Sequence, residues 1–418
     1  MSATVCLILA AGQGKRMKSA TAKVLHEVCG RPMLWYPIHL AKSLGIRKII
    51  TVIGHRGEEV KRRFLGLTEF AWQKKHLGTA DAVLKCAPFL KSFDGNVIVL
   101  CGDAPLLKKE TVRELFRRHD HSRAQATILT AIMEDASGYG RIVRNSLGDF
   151  ETICEEKDAT PEERGIKEIN TGAYVFSWPH LKKYLTQIYA ENKQREFYLT
   201  DAPLLMRRAG LKVETAATLS SGEAMGINTR VELSEANRIM NQRLLKERAD
   251  QGVTIIDSST TFIEEGVKIG ADTTIYPFTY IEKGVIIGKS CSVGPFSKIR
   301  SGSVIRDHAV VGSFVEIVRS DIGSHTHVKH LTYLGDAKVG SYTNIGAGTI
   351  TANFNGKSKN KTVIGDRVFI GCDTVLVAPV KIGNKARTGA GAVIPRGKNV
   401  KAGETVVGVP ARPIRKKK

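Results

Sequence analysis

The sequence predicts two unlike halves, an open α/β sheet of the nucleotide-binding kind and then a parallel β-helix, joined by a single helix. Three observations predict this. From Ile263 to Ile317 an aliphatic residue falls at every sixth position, through Ile269, Ile275, Ile281, Ile287, Val293, Ile299, Ile305 and Val311. Residues 1–229 instead alternate apolar runs with helical patterns, and between the two regions Arg230 to Asp250 carries apolar residues at helical spacing.

Taken in order, Val5–Leu9, Lys48–Ile53, Val97–Leu100, Ala126–Ile132 and Thr171–Phe176 are apolar runs of strand length. Between them Met33–Leu44, Glu58–Leu65, Ala80–Ala87 and Thr111–His119 repeat their apolar residues at helical intervals. Such alternation predicts a Rossmann-like sheet over 1–229, with ligands at the carboxyl ends of its strands. Val231, Leu233, Ala236, Ile239, Met240 and Leu244 mark a connecting helix within 230–252, closed by Gly252.

From 253 to 418 the six-residue period is too long for one helical or strand face. Glycine follows the aliphatic residue at Gly270, Gly288, Gly294 and Gly312, as expected of short flat strands joined by tight turns. Each unit is then one side of a coil, three to a turn, with the aliphatic side chains stacked inside a prism. The ladder resumes at Ile322, Val328, Leu334, Val339, Ile345, Ile364, Ile370, Leu376 and Ile382, with shortened steps at Ile322, Val339 and Ile350. No ladder member is read between Ile350 and Ile364, so Thr351–Lys361 is predicted to leave the prism as a loop. The proline-spaced Val409–Pro413 is expected to be extended, and a basic tail, Arg415–Lys418, follows it.

Composition narrows the classes of function. A chain of 418 residues with 42% hydrophobic content can fill more than one core, since single cores stop growing at roughly 250–300 residues. No run approaches the ~20 apolar residues that span a bilayer, and Met1 to Leu9 lacks the features of a signal peptide, so a soluble cytoplasmic protein is expected. Seven scattered cysteines without CxxC spacing argue against a disulfide framework or a zinc site. The net charge of +22 is spread along the chain and aromatics are only 6%. That pattern fits small phosphorylated ligands better than nucleic acid or a membrane, neither of which is expected as a partner.

The first strand runs into Leu9-Ala10-Ala11-Gly12-Gln13-Gly14-Lys15-Arg16-Met17, where two glycines let backbone N–H groups face one point beside two cations. It is neither a Walker motif nor GxGxxG. With Ala22-Lys23-Val24-Leu25-His26 behind it, this segment resembles the signature of sugar-1-phosphate nucleotidyltransferases. The chain as a whole is similar to the bifunctional N-acetylglucosamine-1-phosphate uridylyltransferase and glucosamine-1-phosphate N-acetyltransferase family. The motifs that carry the likeness recur in order: Gln73, Leu77-Gly78-Thr79-Ala80, Leu100-Cys101-Gly102-Asp103, Gly138-Tyr139-Gly140-Arg141, Glu155, Glu168-Ile169-Asn170-Thr171-Gly172 and Gly226-Ile227-Asn228.

The resemblance implies a left-handed β-helix, a homotrimer, and synthesis of UDP-N-acetylglucosamine from glucosamine-1-phosphate, acetyl-CoA and UTP through N-acetylglucosamine-1-phosphate. It implies that Asp103 and Asn228 hold Mg²⁺, with Arg16 and Lys23 neutralising the α-phosphate. Leu9, Ala10, Ala11, Gly12, Gly14, Gln73, Gly78, Thr79 and Gly102 would line the nucleotide site, and Gly140, Glu155 and Asn170 the sugar. By position alone, Asp103 could instead cap a helix begun by Pro105. Asp81 departs from the family, which usually carries histidine there.

In the second half His330 is the candidate acid–base group, because imidazole titrates in the range that amine acylation needs. By resemblance, Arg300, Tyr333, Asn344 and Lys359 bind the amino-sugar phosphate, while Ala347, Asn353, Phe354, Cys372 and Ala390 lie along acetyl-CoA as co-substrate. His325 and His327 form a His-x-His without a third ligand, and no metal is assigned to them. The family places a second phosphate-binding lysine where this chain has Val318, and a tyrosine where it has Phe354. Arg319 could compensate only if the strand bulges there. On residues alone a β-helix acting only as a trimer scaffold, or acetylating another amino-sugar phosphate, stays open. A non-enzymatic binding protein is disfavoured by Asp103, Asn228, Lys23 and His330 occurring together. The stretch between Asn228 and Arg300 is about two coils shorter than the family's, which should leave both sites intact.

Overall fold

The computed structural model describes residues 3–218 and 220–414; the basic run Arg415–Lys418 lies outside the described residues. The chain divides into two compact units, one ending at Ile239 and the other beginning at Met240.

The first unit is an open twisted sheet. Its strands are β1 (Thr4–Ala10), β4 (Lys48–Ile53), β5 (Glu69–Trp72), β6 (Asn96–Cys101), β7 (Ala126–Ile132), β8 (Arg141–Arg144), β9 (Phe150–Cys154), β10 (Glu168–Ser177) and β11 (Val213–Ala217), while β2 (Glu27–Val28) and β3 (Arg31–Pro32) form a separate small hairpin. The order is β11-β7-β10-β6-β1-β4-β5, with β1, β4, β5 and β6 parallel and β10 antiparallel to both β6 and β7. Successive residues of β1 serve opposite faces, as the period of a strand requires. Leu7 joins Val99, Phe176 and Trp178 in one core, and Cys6 and Ile8 join Ile38, Ile98 and Phe116 in the other. Helices α1 (Trp35–Ser43), α2 (Gly57–Phe64), α3 (Thr79–Leu84), α4 (Lys109–Ser122), α5 (Pro161–Arg164), α6 (Trp178–Leu185) and α7 (Asp201–Arg208) complete the unit.

Helix α8 (Arg230–Asp250) starts and stops for local reasons. Thr229 accepts the N–H of Glu232 at 3.2 Å, and the Glu232 carboxylate accepts the N–H groups of Thr229 at 2.7 Å and Asn228 at 2.5 Å, a capping box. At the far end Gly252, with φ of +90°, donates to Ala249 O, and Val253 donates to Arg248 O, the paired bonds of a Schellman stop.

The second unit is a three-sided parallel β-helix of two- to four-residue strands, stacked as sheets of ten, eight and seven. Each ladder residue pairs with the one a full coil later, as in Ile275↔Val293↔Val311↔Val328↔Ile345↔Ile370, and all are buried. Four details differ from the sequence reading. Ile350 is 44% exposed and Thr351 fully buried, and Thr351 pairs with Leu376, so threonine is the ladder member and only the steps to Ile322 and Val339 are short. The excursion therefore starts at Asn353, not Thr351, and closes through a bridge between Phe354 and Lys359. Glycines 270, 288 and 312 do not supply the left-handed turn conformation. That falls to Asp272, Ser290 and Phe314, two residues on at the corners, whereas a Cβ on Gly270 would lie 2.7 Å from the backbone of the next coil. Nor is the end of the chain simply extended: residues 408–411 turn, and Arg412–Pro413 pairs antiparallel with Val406 and Val407. Among the described residues no helix is long and apolar enough to cross a membrane.

The Thr351 hydroxyl accepts the N–H of Gly335 at 2.7 Å inside the prism. Thr351→Val should therefore cost about 1–3 kcal/mol by orphaning that donor, and Ile317→Ala about 2–5 kcal/mol. Ile350→Ala should fall within about 0.5 kcal/mol of the parent. Thermal and urea unfolding of the three variants checks the ranking, and an Ile350 cost as large as that of Ile317 would contradict the register.

Candidate active sites

The parallel strands β1, β4 and β6 end at Ala10, Ile53 and Cys101, and the candidate residues of the first half gather at that edge. Gly14 takes φ of +62° and turns the chain so that Lys23 comes back beneath it; a Cβ there would sit 2.7 Å from Lys23 Cβ. Lys23 Nζ donates to Asn228 Oδ1 at 2.6 Å and forms an ion pair with Asp103 Oδ2. One ammonium thus bridges the second residue after β6 and the second residue before α8. Asp103 does not cap a helix, since α4 begins only at Lys109. Its backbone carbonyl instead accepts the N–H of Ile227 at 2.9 Å, which pins the Asn228 segment beside it.

Two cavities meet at Asp103. An open cleft of about 760 Å³ is lined by Leu9, Ala11, Gly12, Arg16, Gln73, Gly78, Thr79 and Asp103. A smaller pocket of about 210 Å³ is lined by Gly140, Glu155, Asn170 and Asn228, and shares Leu9, Thr79 and Asp103 with the cleft. Ala10, Gly14 and Gly102 do not line either cavity. Ala10 is buried, and Gly102 packs behind it with its N–H bonded to Leu9 O at 2.9 Å, so these three support the walls. Sequence reasoning gave no role to Lys157, Gln194 or Glu196, which also line the cleft, where Lys157 Nζ donates to Gln194 Oε1 at 2.6 Å. Their segments carry neither an apolar period nor a turn motif.

The smaller pocket is acidic, lined by both Asp103 and Glu155. Burial raises the pKa of Glu155, which accepts a hydrogen bond from Thr200 Oγ1 at 3.0 Å. Asn170 is held on both sides, its Nδ2 donating to Tyr174 Oη at 2.6 Å and its Oδ1 accepting from Gly172 N at 3.1 Å. Behind the pocket, burial and then the charge of Asp158 push Asp201 up to about 6. Arg141, almost fully buried, ties the Gly138–Gly140 turn down through the Tyr139 carbonyl and pairs with Glu156 at 2.7 Å.

In the β-helix the candidates fall into two groups. Register places His330 beside Ser313, and the same offsets carry the column on through Ala347, Cys372 and Ala390 in successive coils. On the neighbouring face Lys298, Glu316 and Tyr333 are in register, and Arg300 donates to Glu316 Oε1 at 3.1 Å. Tyr333 and Asn353 close over Gly335, where a Cβ would meet Asn353 Nδ2 at 2.5 Å. Asn353 Nδ2 donates to Asp336 Oδ2 at 2.6 Å, and Arg319 holds the same carboxylate with two bonds of 2.7 and 2.8 Å. Arg319 is thereby committed, and Val318 is buried, so neither offers a free cation beside Arg300. Phe354 and Lys359 lie on the exposed excursion, and Asn344 is half-buried in the strand after His327. His325 stacks between His308 and Tyr342, with ring centroids 4.6 Å apart on each side.

A nucleotide-sized cleft at the switch edge of an α/β sheet, in a chain that continues into hexapeptide coils, defines a two-part transferase. The nucleotidyl transferase family model matches residues 5–218, and the bacterial transferase hexapeptide (six repeats) model matches 361–396. Proteins named Bifunctional protein GlmU resemble the chain along nearly its whole length. That of Acetivibrio thermocellus is 42% identical, covering 94% of this chain and 93% of its own, and that of Thermoanaerobacter pseudethanolicus is 43% identical with the same coverage. That of Geobacillus sp. is 42% identical over 93% of this chain and 92% of its own. The chain belongs to this bifunctional GlmU family, with an α/β nucleotidyltransferase domain followed by a left-handed parallel β-helix.

Asp201 is a carboxyl whose folded pKa is raised, so the native state binds more protons than the unfolded chain between about pH 4 and pH 6 and loses stability as pH rises through that window. Asp201→Asn removes the buried charge. It should raise the melting temperature at pH 7–8 by a few degrees, about 1–2 kcal/mol after discounting for solvent contact, with the gain vanishing below about pH 4. A melting-temperature difference independent of pH would refute the assignment.

Proposed function

We propose that the chain makes UDP-N-acetylglucosamine in two steps: acetyl-CoA-dependent N-acetylation of glucosamine-1-phosphate, then uridylyl transfer from UTP with release of pyrophosphate. The observation that carries the reading is the ammonium of Lys23, bonded at once to Asp103 and Asn228 where the cleft and the pocket meet. It supports a nucleotide lying on one side of Asp103, a sugar phosphate on the other, and the α-phosphate between them.

The donor set fits Mg²⁺. A carboxylate and an amide carbonyl are hard oxygens, and both lie within reach of one cationic point; water and phosphate oxygens would complete an octahedron. Asp103 and Asn228 would hold the ion, which when bound supplies neutralisation of the phosphate charges. The rest is alignment. The ionised sugar phosphate forms a bond from oxygen to the α-phosphorus as the bond to pyrophosphate breaks, so no general base is required. Lys23 donates to a non-bridging α-phosphate oxygen, and Arg16, exposed and lining the cleft, adds its charge at the same phosphate. Glu155 and Asn170 orient the sugar hydroxyls and N-acetyl group.

For acetyl transfer, the column of His330, Ala347, Cys372 and Ala390 supports a pantetheine arm running along the prism with its thioester near the imidazole. His330 takes the ammonium proton of the amino sugar. The amine then attacks the thioester carbonyl and the coenzyme thiol departs. Arg300 holds the sugar phosphate, with Tyr333, Asn344 and Lys359 around the amino sugar and Asn353 and Phe354 beside the coenzyme. Because Val318 and Arg319 bring no second free cation, phosphate binding loses a charge-assisted contact of roughly 1.5–3 kcal/mol. A homotrimer, in which the Asn353–Lys361 excursion covers a neighbouring copy, would complete this site, and the cytoplasm is the compartment that supplies its substrates.

Asp103→Ala should abolish metal-dependent UDP-sugar formation and leave thiol release from acetyl-CoA intact, while His330→Ala should do the reverse. Pyrophosphate- and thiol-release assays on the two variants check this, and loss of both activities in a folded protein would sink the two-site reading. Thiol release across glucosamine-, galactosamine- and mannosamine-1-phosphate should peak with the first.

A further inference from the structure

The chain carries aspartate at the third residue of α3, and its side chain bonds Gln73, which lines the cleft. Gln73 follows β5, is 4% exposed, and is fixed at its backbone by an N–H bond to Ile53 O of 2.9 Å. Its side-chain nitrogen donates to two acceptors, the carbonyl of Gly78 at 2.9 Å and Oδ2 of Asp81 at 2.9 Å. Neither acceptor can donate. Turning the amide over would set Oε1 against a carbonyl and a carboxylate, so the orientation is locked. Asp81 is itself held, 10% exposed and paired with Lys85 Nζ at 2.9 Å one helical turn on. The atom left for the cleft is Gln73 Oε1, an acceptor without a protein partner among the described residues.

We infer that Asp81 is a positioning residue for base selection: by holding the Gln73 amide with its oxygen outward, it makes the cleft accept a pyrimidine nucleotide that carries a ring imide N–H and reject cytosine. Uracil and thymine present that N–H as a donor to Oε1. Cytosine presents a lone pair at the same ring nitrogen, so two acceptors would face each other in a partly dry wall. The inference rests on the uridylyl-transfer reading and adds the residue that enforces it.

The test compares kcat/KM for pyrophosphate release from UTP and from CTP in the full-length wild type, Asp81→Ala and Asp81→Asn, with acetyl transfer by the same preparations as the control for folding. Asparagine keeps the shape but can donate as well as accept, so it no longer forbids the turned amide. The wild type should favour UTP by about a hundredfold or more. Both variants should lower the UTP-to-CTP ratio, Asp81→Ala by about tenfold, with the KM for the sugar phosphate unchanged. A ratio within twofold of the wild type in both variants would overturn the role of Asp81 while leaving uridylyl transfer standing. A wild type inactive on UTP would instead overturn the uridylyl-transfer reading, and the inference with it. Should Asp81→Ala lose acetyl transfer as well, the ratio in Asp81→Asn decides.

Discussion

The Lys23 ammonium between Asp103 and Asn228 is the contact on which the first unit's arrangement turns. It is one-tenth exposed on one side and its carboxylate partner one-quarter exposed on the other, so the pair sits at the boundary between core and cleft. Three segments far apart in sequence are placed by it: the glycine turn after β1, the turn after β6, and the capping box that opens α8. Without Gly14 in the left-handed conformation Lys23 could not lie where it does. Without Thr229 and Glu232 the Asn228 carbonyl would not be presented at a helix start. The cation also keeps two oxygen donors close together that would otherwise repel, so the site is organised before any ligand arrives.

The second unit depends on a different constraint, the vertical register of coils. Ladder residues stack because every strand pairs with the strand one coil on, and only backbone that can approach closely is tolerated where coils touch. The same register turns isolated residues into a column. His330, Ala347, Cys372 and Ala390 are separated in sequence by unequal steps, yet the pairing puts them on one line. The nine residues from Asn353 to Lys361 can leave the prism because Thr351 and Ile364 still occupy inward positions on either side of them.

Charge is distributed by role rather than by count. Glu155 lines the small pocket and Asp201 sits behind it, where burial raises both, while Lys23 lies against Asp103 and Arg16 lines the cleft. Around Arg300 the opposite holds: Glu316 and Glu282 already attend the guanidinium. Arg319 bonds Asp336 instead, because its corner conformation, φ of +47°, aims it along the coil edge.

Much of this was legible in the chain. The six-residue period specified the prism because it cannot serve any other regular element, and Lys48–Ile53 and Ala126–Ile132 were readable as strands from their apolar runs. Strands β8, β9 and β11 were not, since they are short or half-exposed and carry little periodic signal. The ladder's broken stretch was misread at Ile350, because hydrophobicity favours isoleucine over threonine, whereas the buried Gly335 N–H needs a hydroxyl acceptor inside. Sequence by itself determined the two architectures and the candidate residues, through local periods and motifs that act over a few positions. Tertiary structure alone decided which atoms meet: that Lys23 spans Asp103 and Asn228, that Arg319 is spent on Asp336, and that Gln73 turns its oxygen outward. Those outcomes rest on hydrogen bonds between groups up to 205 positions apart, whose geometry no local pattern encodes.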